Sequence, residues 1–395
     1  MKPTLYLNTG VRHRIFSGHP WVFKSEVGRI VGDPKDGETV EVRNTKGKFF
    51  GSGIYNSQSQ IIFRRYSHQT QDLDARFLET QVDAALAWRA KLDESAGKPA
   101  SAQRLIWSES DHLPGVIVDR YADVLVIQTL TLAMSRLEPV LVEILARKLK
   151  PTAIISRNDA PVRKLEGLPQ EKKVLFGEYK SPTEVEVAGL RVSLDLWLGQ
   201  KTGFYLDQVD NYAKVARYAK GRRVLDCFTN QGAFALAARA AGASSCRALD
   251  QSDEAISRGR DTAKRHGLDI EWVIGNVFDL LPVYERERQQ FDLVILDPPS
   301  FTKSKGQVDS ALRGYKELHL RGLRLLRPGG MLASFCCSHH VGEPDWQELL
   351  SDIAGELNLS LRLVERMTQS RDHPILTEVP ETEYLRGYLL EKVAT

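Results

Sequence analysis

Val224-Leu225-Asp226-Cys227-Phe228-Thr229-Asn230-Gln231-Gly232 reads as a short apolar strand that ends in a polar turn, and an Ala-rich helical stretch, residues 233–241, follows it. Three later segments repeat the pattern of apolar run and polar loop: Ala248-Leu249-Asp250, Gly275-Asn276-Val277-Phe278-Asp279 and Leu296-Asp297-Pro298-Pro299-Ser300. In an open α/β sheet, ligands bind beyond the carboxyl ends of the strands. Four such ends in order predict one binding edge.

The residue types narrow the ligand. Gly232 frees the first turn, and the helix N-terminus behind it can face a polar group. Only one glycine falls in that turn, so the Gly-x-Gly-x-x-Gly dinucleotide fingerprint is absent and a pyrophosphate is a poor fit. Asp250, roughly 20 residues further on, suits a ribose diol, because a carboxylate can accept two hydroxyl hydrogen bonds. Asn276 closes a third strand and can meet an adenine edge. A strand ending in Asp before a Gly turn is common in doubly wound proteins, so the first segment alone leaves the ligand open. The four together match S-adenosylmethionine in an α/β, Rossmann-like class I methyltransferase domain.

Composition frames this reading. A chain of 395 residues exceeds what one core usually holds, so two or three domains are expected. The four cysteines, at positions 227, 246, 336 and 337, fall within predicted strands, and no charged-then-apolar leader opens the chain. That pattern argues for a reducing cytoplasm and against a disulfide-stapled secreted domain. The longest apolar runs, such as residues 124–127 and 331–335, are too short to span a bilayer, so a soluble protein is expected.

The net charge of +3 is unevenly spread. Residues 1–66 carry 11 Lys plus Arg against 5 Asp plus Glu, leaving about −3 for the remainder by subtraction. Short β-runs at 38–43, 48–55 and 60–66, broken by Gly32, Gly37, Gly47, Gly51 and Gly53, predict a small basic barrel. Such a barrel can contact RNA, although a charge excess can also be no more than a solvated face. Residues 72–94 are helical in pattern, and β-runs at 104–108, 116–121, 124–129 and 153–156 with a helix at about 137–148 predict a small α+β domain without a catalytic signature. The expected organisation is a barrel at 1–70, a central domain at 71–182 and the methyltransferase domain at 183–395. A hairpin opens the last of these, and two runs near its end, 361–367 and 385–391, can pair antiparallel.

The reaction is read from two loops. Asp297-Pro298-Pro299 leaves a carboxylate and two rigid prolines at the sheet edge, a segment related to that of amine methyltransferases, which usually place an aromatic directly after the prolines; here Ser300 intervenes before Phe301. Pro328-Gly329-Gly330 turns into a strand that delivers Cys336-Cys337-Ser338 to the same edge. Carbon 5 of cytosine is too weak a nucleophile to take a methyl group directly, but a thiolate adding at carbon 6 makes an enamine that can. Asp297 can then serve ring nitrogen 3 as charge moves there. Successive strand residues face opposite ways, so one cysteine meets the substrate and the other packs. Burial as a small hydrophobe is the usual fate of a free cysteine, and only the neighbouring motifs argue otherwise. A metal site at Cys336, Cys337, His339 and His340 is not expected, because four ligands within five residues of a strand end cannot wrap tetrahedrally. The two histidines can line the pocket instead.

Several motifs now carry a resemblance: Gly18-His19-Pro20-Trp21-Val22-Phe23, Thr202-Gly203-Phe204-Tyr205-Leu206-Asp207-Gln208, Asp226-Cys227-Phe228 with Gly232, Leu296-Asp297-Pro298-Pro299-Ser300-Phe301, Cys337-Ser338-His339-His340 and Asp372-His373-Pro374. Over essentially its whole length the chain resembles the RlmI-type bacterial 23S ribosomal RNA cytosine-5 methyltransferases, which join an N-terminal PUA domain, a central domain and a class I methyltransferase domain. The resemblance implies S-adenosylmethionine as cofactor, 23S ribosomal RNA or a large-subunit precursor as partner, and pairing as a homodimer. It makes Cys337 the nucleophile, with Asp297 beside it. The cofactor set expected along the edge is Phe204, Gln208, Asp226, Phe228, Asn230, Gly232, Asp250, Asn276, Val277 and Asp297. Two departures stand out. Val209 and Tyr212 occupy a segment where the family usually has arginines, and the loop at Ser300 lacks the second cysteine that other cytosine-5 RNA methyltransferases use for product release.

Two other readings stay open on the residues alone. One is an RNA amine or guanine methyltransferase using Asp297-Pro298-Pro299 without a covalent adduct. The other is a non-catalytic RNA-binding assembly factor that keeps the fold.

Overall fold

The computed structural model describes residues 2–10, 13–302, 305–338 and 340–393. The chain packs as two compact units, one holding residues 1–185, 194–206 and 371–382, the other residues 186–193, 207–370 and 383–395.

In the first unit, Thr4–Leu7 (β1), Trp21–Val22 (β2), Val27–Val31 (β3), Thr39–Arg43 (β4), Phe49–Tyr55 (β5) and Phe63–Ser67 (β6) form a six-stranded sheet in the order β2-β6-β5-β4-β1-β3. The expected runs at 38–43, 48–55 and 60–66 are β4, β5 and β6. The other three strands have no legible pattern: β1 and β2 span four and two residues, and β3 is exposed along most of its length. Leu5, Val22, Val40, Val42 and Phe63 fill the interior.

A helix, Ala75–Ala96 (α1), follows; Asp74 caps it by accepting a hydrogen bond from the Phe77 amide. A second sheet, order β11-β10-β9-β8-β7, comprises Ala102–Trp107 (β7), Val116–Tyr121 (β8), Val124–Thr129 (β9), Ala153–Asn158 (β10) and Glu171–Gly177 (β11). Leu132–Arg136 (α2) and Glu138–Leu149 (α3) lie in the connection from β9 to β10, where one helix was expected. Ile54 and Tyr66 of the barrel strands join Phe77, Leu78, Val82 and Leu105 in one buried cluster. The barrel and the central sheet therefore share a core, which is why they pack as one unit. Thr183–Val187 (β12) and Leu190–Leu194 (β13) form a two-stranded sheet.

The second unit is built on seven strands: Arg223–Cys227 (β14), Ser245–Asp250 (β15), Glu271–Ile274 (β16), Phe291–Leu296 (β17), Leu326–Cys336 (β18), Ser360–Met367 (β19) and Arg386–Val393 (β20). Their order is β16-β15-β14-β17-β18-β20-β19, with β14 to β18 parallel and β20 antiparallel to both of its neighbours. Helices Val209–Ala216 (α4), Ala233–Ala240 (α5), Asp253–Arg265 (α6), Val277–Arg286 (α7), Val308–Leu325 (α8) and Glu343–Glu356 (α9) complete it. The two late runs do pair antiparallel. Of these two strands β19 is the outer one, and β20 is inserted beside β18, as its buried residues from Gly387 to Leu390 require. Sequence order reverses between β14 and β17, and a crevice at such a switch point is where this architecture holds ligands. Among the described residues no helix is long and apolar enough to cross a membrane.

Candidate active site

The turn after β14 is the most constrained backbone at this edge. Phe228, Asn230 and Gly232 all have positive φ, at 62°, 51° and 82°. Within this turn the Thr229 amide donates to the Leu249 carbonyl at 2.9 Å and the Gly232 amide to the Thr229 carbonyl at 2.8 Å, which closes it. Gly232 has a second reason to lack a side chain, since a Cβ there would lie 2.3 Å from the Trp272 ring of β16. The Asn230 amide donates to Asp250 Oδ2 at 2.8 Å, and the Ser252 amide donates to Oδ1 at 2.9 Å. Each oxygen of this half-buried carboxylate keeps a lone pair for a hydroxyl.

Asp226 lies at the heart of the switch point and is 1% exposed. Burial pushes its carboxyl up to about 7, and the charges of Asp297 and Asp250 push the same way, while bonds from the Thr229 hydroxyl and the Ala235 amide oppose them. Oδ1 of Asp226 is buried and has no hydrogen-bond partner among the described residues, nor has Oε1 of Gln231 in the adjoining turn. Unpaired buried acceptors are costly unless a donor arrives. S-adenosylmethionine carries such donors in its ammonium, ribose hydroxyls and adenine amine, so the residues present fit it.

The remaining expected cofactor residues divide. Asn276 is exposed and caps α7, its amide oxygen accepting from the Phe278 amide at 3.1 Å. Val277 is buried in the core and Phe228 packs partly against it. Gln208 is buried and donates from Nε2 to Asp297 Oδ2 at 3.0 Å, while its Oε1 accepts from Asn211 at 2.7 Å. Phe204 belongs to the first unit, where it is buried and its amide donates to the Tyr121 hydroxyl at 3.2 Å. Of the two positions that depart from the family pattern, Tyr212 is buried edge-on against Phe234, with 4.7 Å between ring centroids, so it serves packing.

At the ends of β17 and β18 the loop and the strand are laced together. Cys336 is fully buried, which raises its thiol pKa, whereas Cys337 is partly exposed. Cys337 Sγ lies 3.6 Å from the Pro298 carbonyl, next in sequence to Asp297. The next residue, Ser338, is buried and meets the Tyr315 hydroxyl at 2.9 Å and the Ser300 hydroxyl at 3.1 Å; Ser300 in turn donates to the Thr302 carbonyl at 2.9 Å. Desolvation pushes the Tyr315 phenol far up, so it stays protonated. Sequence reading missed Tyr315 and Asn211, and Thr229 was visible only as part of the turn after β14. Ser338 and Ser300 were visible only as neighbours of motif residues. Nothing local marks Tyr315, which reaches this edge because α8 crosses behind it. His339 lies outside the described residues, His340 is partly buried, and among the described residues no group of three or more His, Cys, Asp or Glu could hold a metal ion.

Comparison with known proteins gives the family. Residues 170–387 match the model of the S-adenosylmethionine-dependent methyltransferase family, and residues 5–68 match that of a PUA-like domain. Ribosomal RNA large subunit methyltransferase I of Shewanella denitrificans is 39% identical over 96% of this chain and 97% of that protein. The protein of the same name from Yersinia pseudotuberculosis is 36% identical over 98% of this chain and 99% of its own length. Among solved structures, a protein described as a methyltransferase and complexed with SAH superposes with a TM-score of 0.85 at 17% identity, covering 98% of this chain and 99% of that one, which speaks for the fold alone. With PUA-like and methyltransferase domains in this order, and relatives matched end to end, the chain is an S-adenosylmethionine-dependent methyltransferase belonging to the ribosomal RNA large subunit methyltransferase I family.

Proposed function

We propose that the protein methylates carbon 5 of a cytosine in 23S ribosomal RNA through a covalent adduct with Cys337, and that the basic barrel holds the RNA. The observation that carries the chemistry is the pairing of a partly exposed Cys337 with the Asp297-Pro298 loop, its thiol 3.6 Å from the Pro298 carbonyl. The full-length relatives named for large-subunit ribosomal RNA support the substrate class.

In this reading S-adenosylmethionine supplies an electrophilic methyl group, held by Asp250, Gln208 and the turn at residues 228–232. The Cys337 thiolate adds to carbon 6 of the cytosine and turns carbon 5 into an enamine nucleophile. Asp297, oriented by Gln208, holds a proton at ring nitrogen 3 as charge develops there. Carbon 5 then forms its bond to the methyl group as the methyl–sulfur bond of the cofactor breaks and S-adenosylhomocysteine leaves. Loss of the carbon 5 proton to solvent lets the bond between carbon 6 and Cys337 Sγ break, the nitrogen 3 proton returns to Asp297, and the thiolate is restored.

RNA containing 5-fluorocytosine tests the scheme, because a fluorine at carbon 5 blocks release of the thiolate. A denaturation-resistant adduct is expected with the wild type and with Cys336→Ala, and none with Cys337→Ala, which should keep cofactor and RNA affinity. An adduct lost in Cys336→Ala instead would move the role to the neighbour. No adduct in any variant, with amine-methylated product, would favour the non-covalent chemistry.

A further inference from the structure

Phe16 stands 46% exposed on the 3-10 turn Arg14–Ser17, although burying a phenyl ring ordinarily stabilises a fold. It stacks on Phe50 of β5 with 4.7 Å between centroids and 30° between planes, and His13 meets its edge at 5.2 Å. Phe50 is anchored from below, being partly buried against the barrel core, so Phe16 is the outer ring. Lys48 Nζ sits 5.4 Å from the Phe50 centroid.

The backbone is shaped to make this pair. Val42 of β4 faces Gly51 and Arg43 faces Phe49, so Phe50 is the extra residue of a β-bulge, a device that re-aims a side chain. Gly51 has φ 139°, and a Cβ there would lie 2.4 Å from Cδ of Arg65. Arg65 is 7% exposed and donates to the carbonyls of Gly18 and Phe50. One buried guanidinium thus ties the turn that carries Phe16 to the strand that carries Phe50. Packing of the core does not need the outer ring held in this way.

We propose that Phe16 and Phe50, with Lys48 beside them, form a platform on which an unpaired base of the RNA stacks while the lysine meets its phosphate. The proposal rests on the RNA reading above. Aromatic faces accept any base and a neighbouring cation meets the backbone, which is how proteins hold single strands. Residues 1–66 carry 11 cationic against 5 acidic side chains, a balance suited to a polyanion rather than to an apolar protein partner.

The test uses the full-length protein and single-stranded oligonucleotides of ribosomal sequence with 2-aminopurine at successive positions. One position should be quenched on binding to the wild type, and Phe16→Ala should abolish that quench and raise Kd at least about fivefold. Because the ring carries no charge, the dependence of Kd on salt should not change in Phe16→Ala. Lys48→Ala should lower the salt slope by about one, and Phe16→Trp should restore the quench. Wild-type Kd and quenching in Phe16→Ala would overturn the platform while leaving RNA binding intact. A wild-type protein that binds no RNA would overturn the RNA reading, and the platform with it.

Discussion

Binding of S-adenosylmethionine should tighten as pH rises toward 7, because Asp226 has to give up a proton. The carboxyl is 1% exposed; burial, then the charges of Asp297 and Asp250, push it up to about 7 from an ordinary value of 3.8. A bound cofactor with a net positive charge favours the carboxylate, so the bound form has the lower pKa and binding releases a proton. Between the two pKa values, affinity should fall about tenfold for each unit of pH below 7. The sign for folding is the reverse. A raised folded pKa means that the native state holds the extra proton between pH 3.8 and about 7, so stability falls as pH rises through that window. Above it the uncompensated charge costs on the order of 4 kcal/mol. Calorimetric titration from about pH 5.5 to about 8, in two buffers of different ionisation enthalpy, measures the released proton directly. Asp226→Asn should flatten both profiles and raise the melting temperature of the cofactor-free protein at alkaline pH. An affinity independent of pH, with no buffer-dependent heat, would refute the argument.

Asp250→Ala should weaken S-adenosylmethionine binding at least roughly tenfold, as expected for losing charge-assisted hydrogen bonds, and unchanged affinity by calorimetry would remove it from the ribose site. Ser338→Ala cuts the links to Tyr315 and Ser300 that hold the loop after β17 against the end of β18. Its kcat on RNA should drop about tenfold or more, as for a misplaced reacting group, with cofactor affinity unchanged; Ser338→Thr should recover part of the loss.

The strand ends were legible because each combines an apolar run with a residue that interrupts it: Asp226, Asp250 and Asp297 all sit at carboxyl ends of parallel neighbours, as their spacing implied. The antiparallel pairing of the late runs was legible as two β-runs near the chain end. Insertion of β20 between β18 and β19 was not, since strand order depends on which faces remain to be covered. Nor was the shared core legible, because Ile54 and Tyr66 read locally as ordinary barrel residues. At the site, sequence supplies residues that lie on motifs and misses those that arrive from behind. Tyr315 touches Ser338 across 23 residues of chain, and Asn211 reaches Gln208 with nothing unusual about either neighbour.

Two of the motifs that carried the family resemblance make hydrogen bonds and ion pairs within the first unit. Asp372 accepts from the Arg104 amide at 2.8 Å and pairs with His373 at 2.7 Å, while Arg89, fully buried in α1, donates to the Asp372 carbonyl at 2.8 Å. His19 and Arg14, in and near the Gly18-His19-Pro20-Trp21 motif, both reach Glu381, at 3.0 and 2.7 Å. Trp21 donates to buried Glu109 at 2.7 Å. Asp372, His373, Arg89, His19 and Glu109 are buried, so removing a partner of one of them strands it and costs more than the bond itself, whereas the more exposed Arg14 pair contributes little. The segment 371–382 must return to the first unit, and the barrel motif supplies half of the polar joint that receives it.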